Sequence, residues 1–146
     1  DEELSRAYRY GDGLAVMLLE VRLPDSIEDY VRMLRMDDLL YTVARGIREG
    51  VRKMDVVGRY SDTCFILVLP HSPQCEPLAR RLQELVESIA IDAGRNSVKA
   101  TARIGFAAYP DEAANAGELL SAAADRLGVR LKELKMSDRS ELRRAA

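Results

Sequence analysis

Residues 14–23 read Leu-Ala-Val-Met-Leu-Leu-Glu-Val-Arg-Leu, and no other run restricts the fold as much. Nearly every position is apolar, so no alternation marks out a solvent-facing side. A strand of this kind is buried on both faces, which places it inside a sheet covered on both sides. The run is too short to span a bilayer as a helix, no other apolar run is long enough, and no signal-peptide pattern opens the sequence.

Two further strand-like runs lie close together. Val56–Tyr60 and Phe65–Leu69 are rich in β-branched and aromatic residues, and Ser61-Asp62 between them suits a tight turn. The pattern predicts a β-hairpin, with Asp tolerating the left-handed backbone where glycine is absent. Just upstream, Arg52 and Asp55 place a fork of donors and a carboxylate where a helix gives way to a strand.

The remaining elements follow from periodicity and breakers. Residues 2–10 read as the end of a helix with Leu4, Ala7 and Tyr8 on one face, broken by Gly11-Asp12-Gly13. Pro24-Asp25-Ser26 starts a helix, with Ser26 or Asp25 as N-cap, that runs from Ile27 to about Arg52 with an interruption near Arg35. Leu39, Leu40, Val43, Ala44, Ile47 and Val51 form its inward stripe. Residues 71–77 lead into a helix carrying Leu78, Leu82, Leu85, Val86 and Ile89. Gly94–Ser97 is a turn. Val98–Ala108 is a strand with a bend at Gly105, ended by Tyr109-Pro110-Asp111. A last helix spans Glu118–Leu134 with Leu119, Leu120, Ala123, Leu127 and Leu131 inward, and the tail beyond Met136 is polar and frayed. The order β-α-α-β-β-α-β-α predicts an α/β (α+β) fold: one domain over residues 1–146, with a mixed central sheet flanked by helices.

Composition narrows the chemistry. At 47% hydrophobic and 32% charged the chain suits a globular domain, and its net charge of −2 gives no general pull toward DNA or anionic membrane. Arginine far outnumbers lysine, which favours planar, bidentate recognition where arginines converge. Cys64 and Cys75 lack metal-type spacing, which fits a reducing, cytoplasmic setting. His71 is the single histidine, so no triad or zinc cluster can be built on it. Cys64 reads as a small buried hydrophobe, the methionines as core filler, and Arg126 and Arg130 as a solvated face rather than a binding stripe.

Arg59-Tyr60 before the turn and Phe65 after it, with Arg52-Lys53-Met54-Asp55 ahead of the hairpin, make this chain similar to the GGDEF domain family. That family makes cyclic di-GMP from two GTP on a fold related to the nucleotide cyclase palm. The resemblance covers almost the whole chain and lacks only the family's opening segment and last strand. It implies a palm-like mixed sheet. It also implies a departure at the active site, because Ser61-Asp62-Thr63-Cys64 stands where the family has Gly-Gly-Asp/Glu-Glu. Thr63 and Cys64 occupy the two acidic positions, and Asp62 fills a glycine position that approaches phosphate. The family's first metal-binding strand end aligns with Glu20 to Asp25, bringing Arg22 where an acid is usual. Glu28 replaces the guanine-reading Asn, Arg32-Met33 replaces Gly-His, and the second guanine-contacting carboxylate falls on Asp37. The late Asp and Lys correspond to Asp125 and Lys132 if one residue is inserted. Glu20 and Asp37 read most simply as solvated acids at element ends. The expectation is a domain without catalysis and without metal or other cofactor.

The family's product-binding motif, Arg-x-x-Asp, is present as Arg52 and Asp55 at the family's spacing. Guanine presents O6 and N7 acceptors and N1–H and N2–H₂ donors, so arginine plus aspartate makes a guanine clamp. The family's second arginine comes from the following helix in an Ala-x-Arg pattern. Ala79-Arg80-Arg81 puts Arg81 in that role, with Arg80 as the near alternative. The plain alternative is a turn in which Asp55 and Arg52 simply pair locally.

The resemblance implies a non-catalytic receptor that binds cyclic di-GMP through Arg52, Asp55 and Arg81, with the ligand able to bridge a homodimer or a second domain. Such domains are similar to regulators of exopolysaccharide and biofilm, the PelD type among them. The domain is expected in the cytoplasm, without direct membrane contact of its own, as a piece of a larger and membrane-anchored protein. The rival readings are a scaffold for dimerisation or partner binding without nucleotide, and GTP binding without turnover.

Overall fold

The computed structural model describes residues 13–25, 27–71, 75–92, 97–109 and 115–127. Strand β1 (Leu14–Arg22) lies at the centre, and every residue of it except Arg22 is buried. On one side it pairs with β3 (Cys64–Pro70), on the other with β6 (Thr101–Tyr109). Strand β2 (Val56–Arg59) pairs with the far edge of β3, so the sheet order is β2-β3-β1-β6. Three helices accompany it: α1 (Asp29–Gly50), α2 (Cys75–Glu87) and α3 (Ala116–Leu127).

The missing polar face of β1 is explained by two cores. Ala15, Met17, Leu19 and Val21 pack with Leu39, Val43 and Ile47 of α1 and with Leu82 and Val86 of α2. The alternate residues Leu14, Val16 and Leu18 pack with Leu119, Ala123, Ala124 and Leu127 of α3. Sequential residues of a strand point to opposite faces, so both sets must be apolar. α3 sits so close on β6 that a Cβ at Gly105 would stand 2.1 Å from the Ala123 carbonyl oxygen and 2.4 Å from the Leu127 nitrogen. Gly105 therefore serves close backbone approach within a continuous strand, not the bend expected from sequence.

The α+β class and the palm-like arrangement hold, but each pairing among the described strands is antiparallel rather than mixed. The helical crossover from β1 passes to the outer strand β2, and the hairpin then brings β3 back beside β1. The crossover from β3 likewise lands beyond β1, on β6. Parallel partners are thus always separated by one strand, as in a split βαβ arrangement.

Several boundaries differ from the sequence reading. α1 is continuous through Arg35, since no Gly or Pro interrupts residues 29–45. It begins at Asp29 behind an extended Glu28, because Ile27 N–H closes a turn onto the Pro24 carbonyl at 3.2 Å and Ile27 is buried in the core. The Arg32 guanidinium ties this turn down through the Pro24 carbonyl at 2.7 Å. α2 ends at Glu87, so Ile89 packs from beyond the helix. The expected strand from Val98 is divided: β4 (Ala90–Asp92) and β5 (Ser97–Lys99) form a small ribbon before β6 starts. Three-residue strands are too short to show a period. α3 starts at Ala116, where the Asn115 side-chain oxygen accepts from Glu118 N–H at 2.9 Å, an N-cap that sequence reading missed.

The expected helix at residues 2–10, the break at Gly11-Asp12, the Ser26 cap, the turn at 94–96, Pro110-Asp111 and the segment from 128 onward lie outside the described residues. Arg130, Leu131, Lys132 and Leu134 fall with them. No helix among the described residues is long and apolar enough to cross a membrane.

Candidate functional site

α1 terminates at Gly50, and the chain turns once before β2. The turn is closed by Asp55 N–H donating to the Arg52 carbonyl at 3.0 Å. Within it, Arg52 N–H donates to Asp55 Oδ2 at 2.8 Å, and Arg52 Nη2 donates to Asp55 Oδ1 at 2.8 Å. Nε completes the fork at 3.2 Å from both oxygens. Nη2 also donates to the Pro70 carbonyl at the end of β3, at 2.6 Å. The Asp55 side chain is 3% exposed and that of Arg52 is 47% exposed. The Arg52 pKa is raised above its ordinary value, chiefly by the hydrogen bond it donates to Asp55. Burial opposes this, and the charges of Asp55 and Cys75 add to it. Arg52 is therefore a fixed cation.

Arg81 reaches this corner from α2. Its Nη2 donates to the Gly50 carbonyl, 31 residues away in sequence, at 3.3 Å. Arg80 instead pairs with Glu76 one turn back on its own helix, at 3.0 Å, with both side chains open to water. The fold thus brings Arg52, Asp55 and Arg81 to one end of α1 and leaves Arg80 outside. The Arg52–Asp55 pairing is the local one that the turn alone provides. The arrival of Arg81 is the long-range part.

The hairpin tip is built differently. Arg59 and Phe65 form its last strand pair. Tyr60 N–H and Ser61 N–H both donate to the Cys64 carbonyl, at 2.8 and 3.2 Å, so Ser61, Asp62 and Thr63 make the bend rather than Ser61-Asp62 alone. Arg59 clamps the bend through the Ser61 and Asp62 carbonyls at 3.3 and 3.2 Å, with its guanidinium 5.6 Å from the Phe65 ring centroid. Val21 N–H donates to the Thr63 carbonyl at 2.9 Å, which sets the tip against the end of β1.

Glu20 stands opposite Cys64 in the β1–β3 register. It is buried, and its Oε1 accepts from Arg22 Nε at 2.5 Å, so it is not the solvated acid expected from sequence. The Cys64 thiol is buried and pushed up to about 12, first by burial and then by the Glu20 charge. A protonated thiol, a threonine and a carboxylate already held by arginine do not suit a hard divalent cation, which takes several free oxygen ligands. The residues present do not fit the metal that the resemblance would bring. Among the described residues no three His, Cys, Asp or Glu side chains gather as a metal site.

Asp37 is exposed and lies at a cleft of about 380 Å³ between α1 and the β2–β3 hairpin, with Tyr41, Arg48, Arg59 and Phe65 among its walls. Asp125 is exposed on α3. Arg126, expected on a solvated face, ties α3 to β6 through the Phe106 carbonyl at 2.7 Å. Met17 is core, but Met33 and Met54 are exposed, against the expectation of core filler. His71 is exposed with positive φ, and its N–H bonds the Gly13 carbonyl at 2.9 Å.

Comparison with known proteins agrees with this architecture. A cyclic di-GMP phosphodiesterase, NbdA of Pseudomonas aeruginosa, is 36% identical over 116 residues, covering 77% of this chain and 15% of the relative. Among solved structures, the FimX GGDEF domain from Pseudomonas aeruginosa superposes with a TM-score of 0.71 at 19% identity, over 88% of this chain and 80% of that one. The coiled coil and GGDEF domain of DgcB from Caulobacter crescentus, solved with cyclic di-GMP, gives 0.65 at 19% identity, over 88% and 69%. At these identities the two structures speak for the fold. The sequence model described as diguanylate cyclase, GGDEF domain, matches residues 1–137, and the chain belongs to the GGDEF domain family.

Proposed function

We propose that this domain is a non-catalytic receptor for cyclic di-GMP, and that Arg52, Asp55 and Arg81 form its binding corner. The observation that carries the reading is the convergence of Arg81 on the Gly50 carbonyl, beside a fixed Arg52 cation. Two guanidinium groups from different elements suit a ligand that carries two phosphates and two guanine O6/N7 edges. The same contact also caps a C-terminal carbonyl of α1, so it holds Arg81 at this corner with or without ligand.

Lack of turnover follows, in this reading, from the hairpin tip. Phosphoryl transfer between nucleotides needs the developing charge neutralised, usually by metal. Here Glu20 is committed to Arg22 and the Cys64 thiol stays protonated. The output is then a shift between conformations or assembly states, bounded by the ligand's differential affinity for them.

Calorimetric titration of cyclic di-GMP tests the reading. Micromolar affinity, about −8 kcal/mol, is expected for the wild type, with at least a tenfold loss in Arg52→Ala and in Arg81→Ala. No heat and no thermal shift at saturating ligand would sink the receptor and leave a scaffold for protein partners.

A further inference from the structure

Far from the binding corner, the first half of α1 shows water an apolar face that the described residues leave open. Leu39, Leu40, Val43 and Ile47 turn the helix toward the core. Tyr30, Leu34 and Tyr41 lie on the side away from them, at 65%, 51% and 66% exposure. At about 100° per residue these three fall within about 40° of arc, so they form one seam about 16 Å long. Met33 beside them is 72% exposed. Single exposed apolar residues are ordinary, whereas a contiguous stripe marks an interaction surface. The seam is flanked by charges, Asp38 and Arg45 on one side and Asp37 and Arg48 on the other, all exposed. None of the four forms an ion pair with another described residue.

We propose that this seam is a homodimer interface, in which α1 packs antiparallel on α1 of a second copy about a two-fold axis near Thr42. The charges are the first reason to choose a second copy. On each flank the acid precedes the base along the chain. A two-fold that reverses the helix keeps each flank facing its own kind. Asp38 then meets Arg45 of the partner subunit, and Asp37 meets Arg48 of the partner subunit. A parallel pairing would instead set like charges opposite each other. The second reason is area. The exposed parts of Tyr30, Met33, Leu34 and Tyr41 come to about 500 Å² in each copy, so two copies reach the roughly 1,000 Å² that a specific, weak interface needs. Tyr30 then extends past the end of the other α1, to the turn where Met54 is 51% exposed. Neither Arg52 nor Arg81 takes part, so the inference does not depend on cyclic di-GMP.

Sedimentation velocity of the nucleotide-free chain, from micromolar to several hundred micromolar, tests the pairing. A monomer–dimer equilibrium with a Kd in the tens of micromolar is expected for an interface of this size. Leu34→Glu puts a charge in the seam at an exposed site, and should weaken dimerisation at least tenfold while the urea midpoint stays put. Asp38→Arg alone and Arg45→Asp alone each oppose like charges twice in a dimer, and each should weaken it at least fivefold. A mixed dimer of these two variants regains both ion pairs. Their equimolar mixture should therefore associate within threefold of the wild type.

A wild type that stays monomeric throughout overturns the proposal and leaves the seam to a different protein. Dimers that survive Leu34→Glu place the contact on another face and overturn it too. Charge variants that dimerise as the wild type does, or a mixture that fails to recover, overturn the antiparallel pairing. A silent cyclic di-GMP titration sinks the receptor reading alone and leaves these results as they stand.

Discussion

The α1–β2 corner and the end of β1 beside the hairpin tip each carry an arginine holding a carboxylate, yet they present opposite chemistry. At the corner Arg52 grips Asp55, and at the end of β1 Arg22 grips Glu20. In each pair the arginine side chain is about half exposed, at 47% and 44%, while the acid is nearly covered, at 3% and 10%. The difference lies in what surrounds them. The Arg52 fork is also anchored to the Pro70 carbonyl, and a second arginine arrives from α2. Beside Glu20 lies a buried, protonated thiol. The same pair thus aims a cation outward in one place and neutralises an acid in the other. An Arg–carboxylate pair has no fixed meaning until its remaining donors and neighbours are counted.

Removing each arginine in turn separates the two roles. Arg22→Ala leaves Glu20 nearly buried without the hydrogen bond it has now, which costs about 2–3 kcal/mol. Arg52→Ala leaves Asp55 its bond from the backbone N–H of residue 52, so a smaller loss of about 1–2 kcal/mol is expected. Urea unfolding of both variants checks the order. Binding should reverse it, with cyclic di-GMP affinity unchanged within twofold in Arg22→Ala and lost at least tenfold in Arg52→Ala. Equal binding losses in the two variants would erase the distinction between the regions.

The thiol at the tip predicts a pH dependence that the corner lacks. Its pKa in the folded state, about 12, lies above the ordinary 9.0. The unfolded chain therefore releases this proton first, and stability is complete below pH 9 and falls as pH rises toward 12. Between pH 8 and 10 the loss from Cys64 is about 1 kcal/mol. Tyr60 is also raised, mainly by burial, and adds to the fall only above pH 10. Urea midpoints at pH 8 and 10 should fall less in Cys64→Ala than in the wild type. An identical fall would mean that the thiol is not protected as the fold implies.

The smallest expected effect concerns neighbouring arginines. Arg80 and Glu76 form a solvated pair on α2, so Arg80→Ala should change stability by less than about 0.5 kcal/mol. Its cyclic di-GMP affinity should stay within twofold of wild type, against a tenfold loss for Arg81→Ala. The reverse result would move the second arginine of the corner by one position.

Much of this was legible in the residues. The unbroken apolar run of β1 demanded cover on both faces, and the two cores supply it. Leu39, Leu40, Val43 and Ile47 marked the buried side of α1, and the hairpin limits were close to those observed. Arg52 and Asp55 were expected to meet, being three residues apart across a turn. The burial of Glu20 under Arg22, the attachment of Arg126 to β6 and the exposure of Met33 were not visible. Each depends on which neighbours the fold supplies, and single residue types carry no trace of them.

What the sequence determined by itself is local: periodicity, turn chemistry and the pairing of side chains a few residues apart, because these act before distant segments meet. The tertiary structure decided the rest. It made both pairings of β1 antiparallel by placing each crossover one strand away. It chose Arg81 over Arg80 across 31 residues, since a single step along α2 turns a side chain by about 100°. It also closed Asp55 away from solvent, because only the folded β3 brings the Pro70 carbonyl to the guanidinium that covers it.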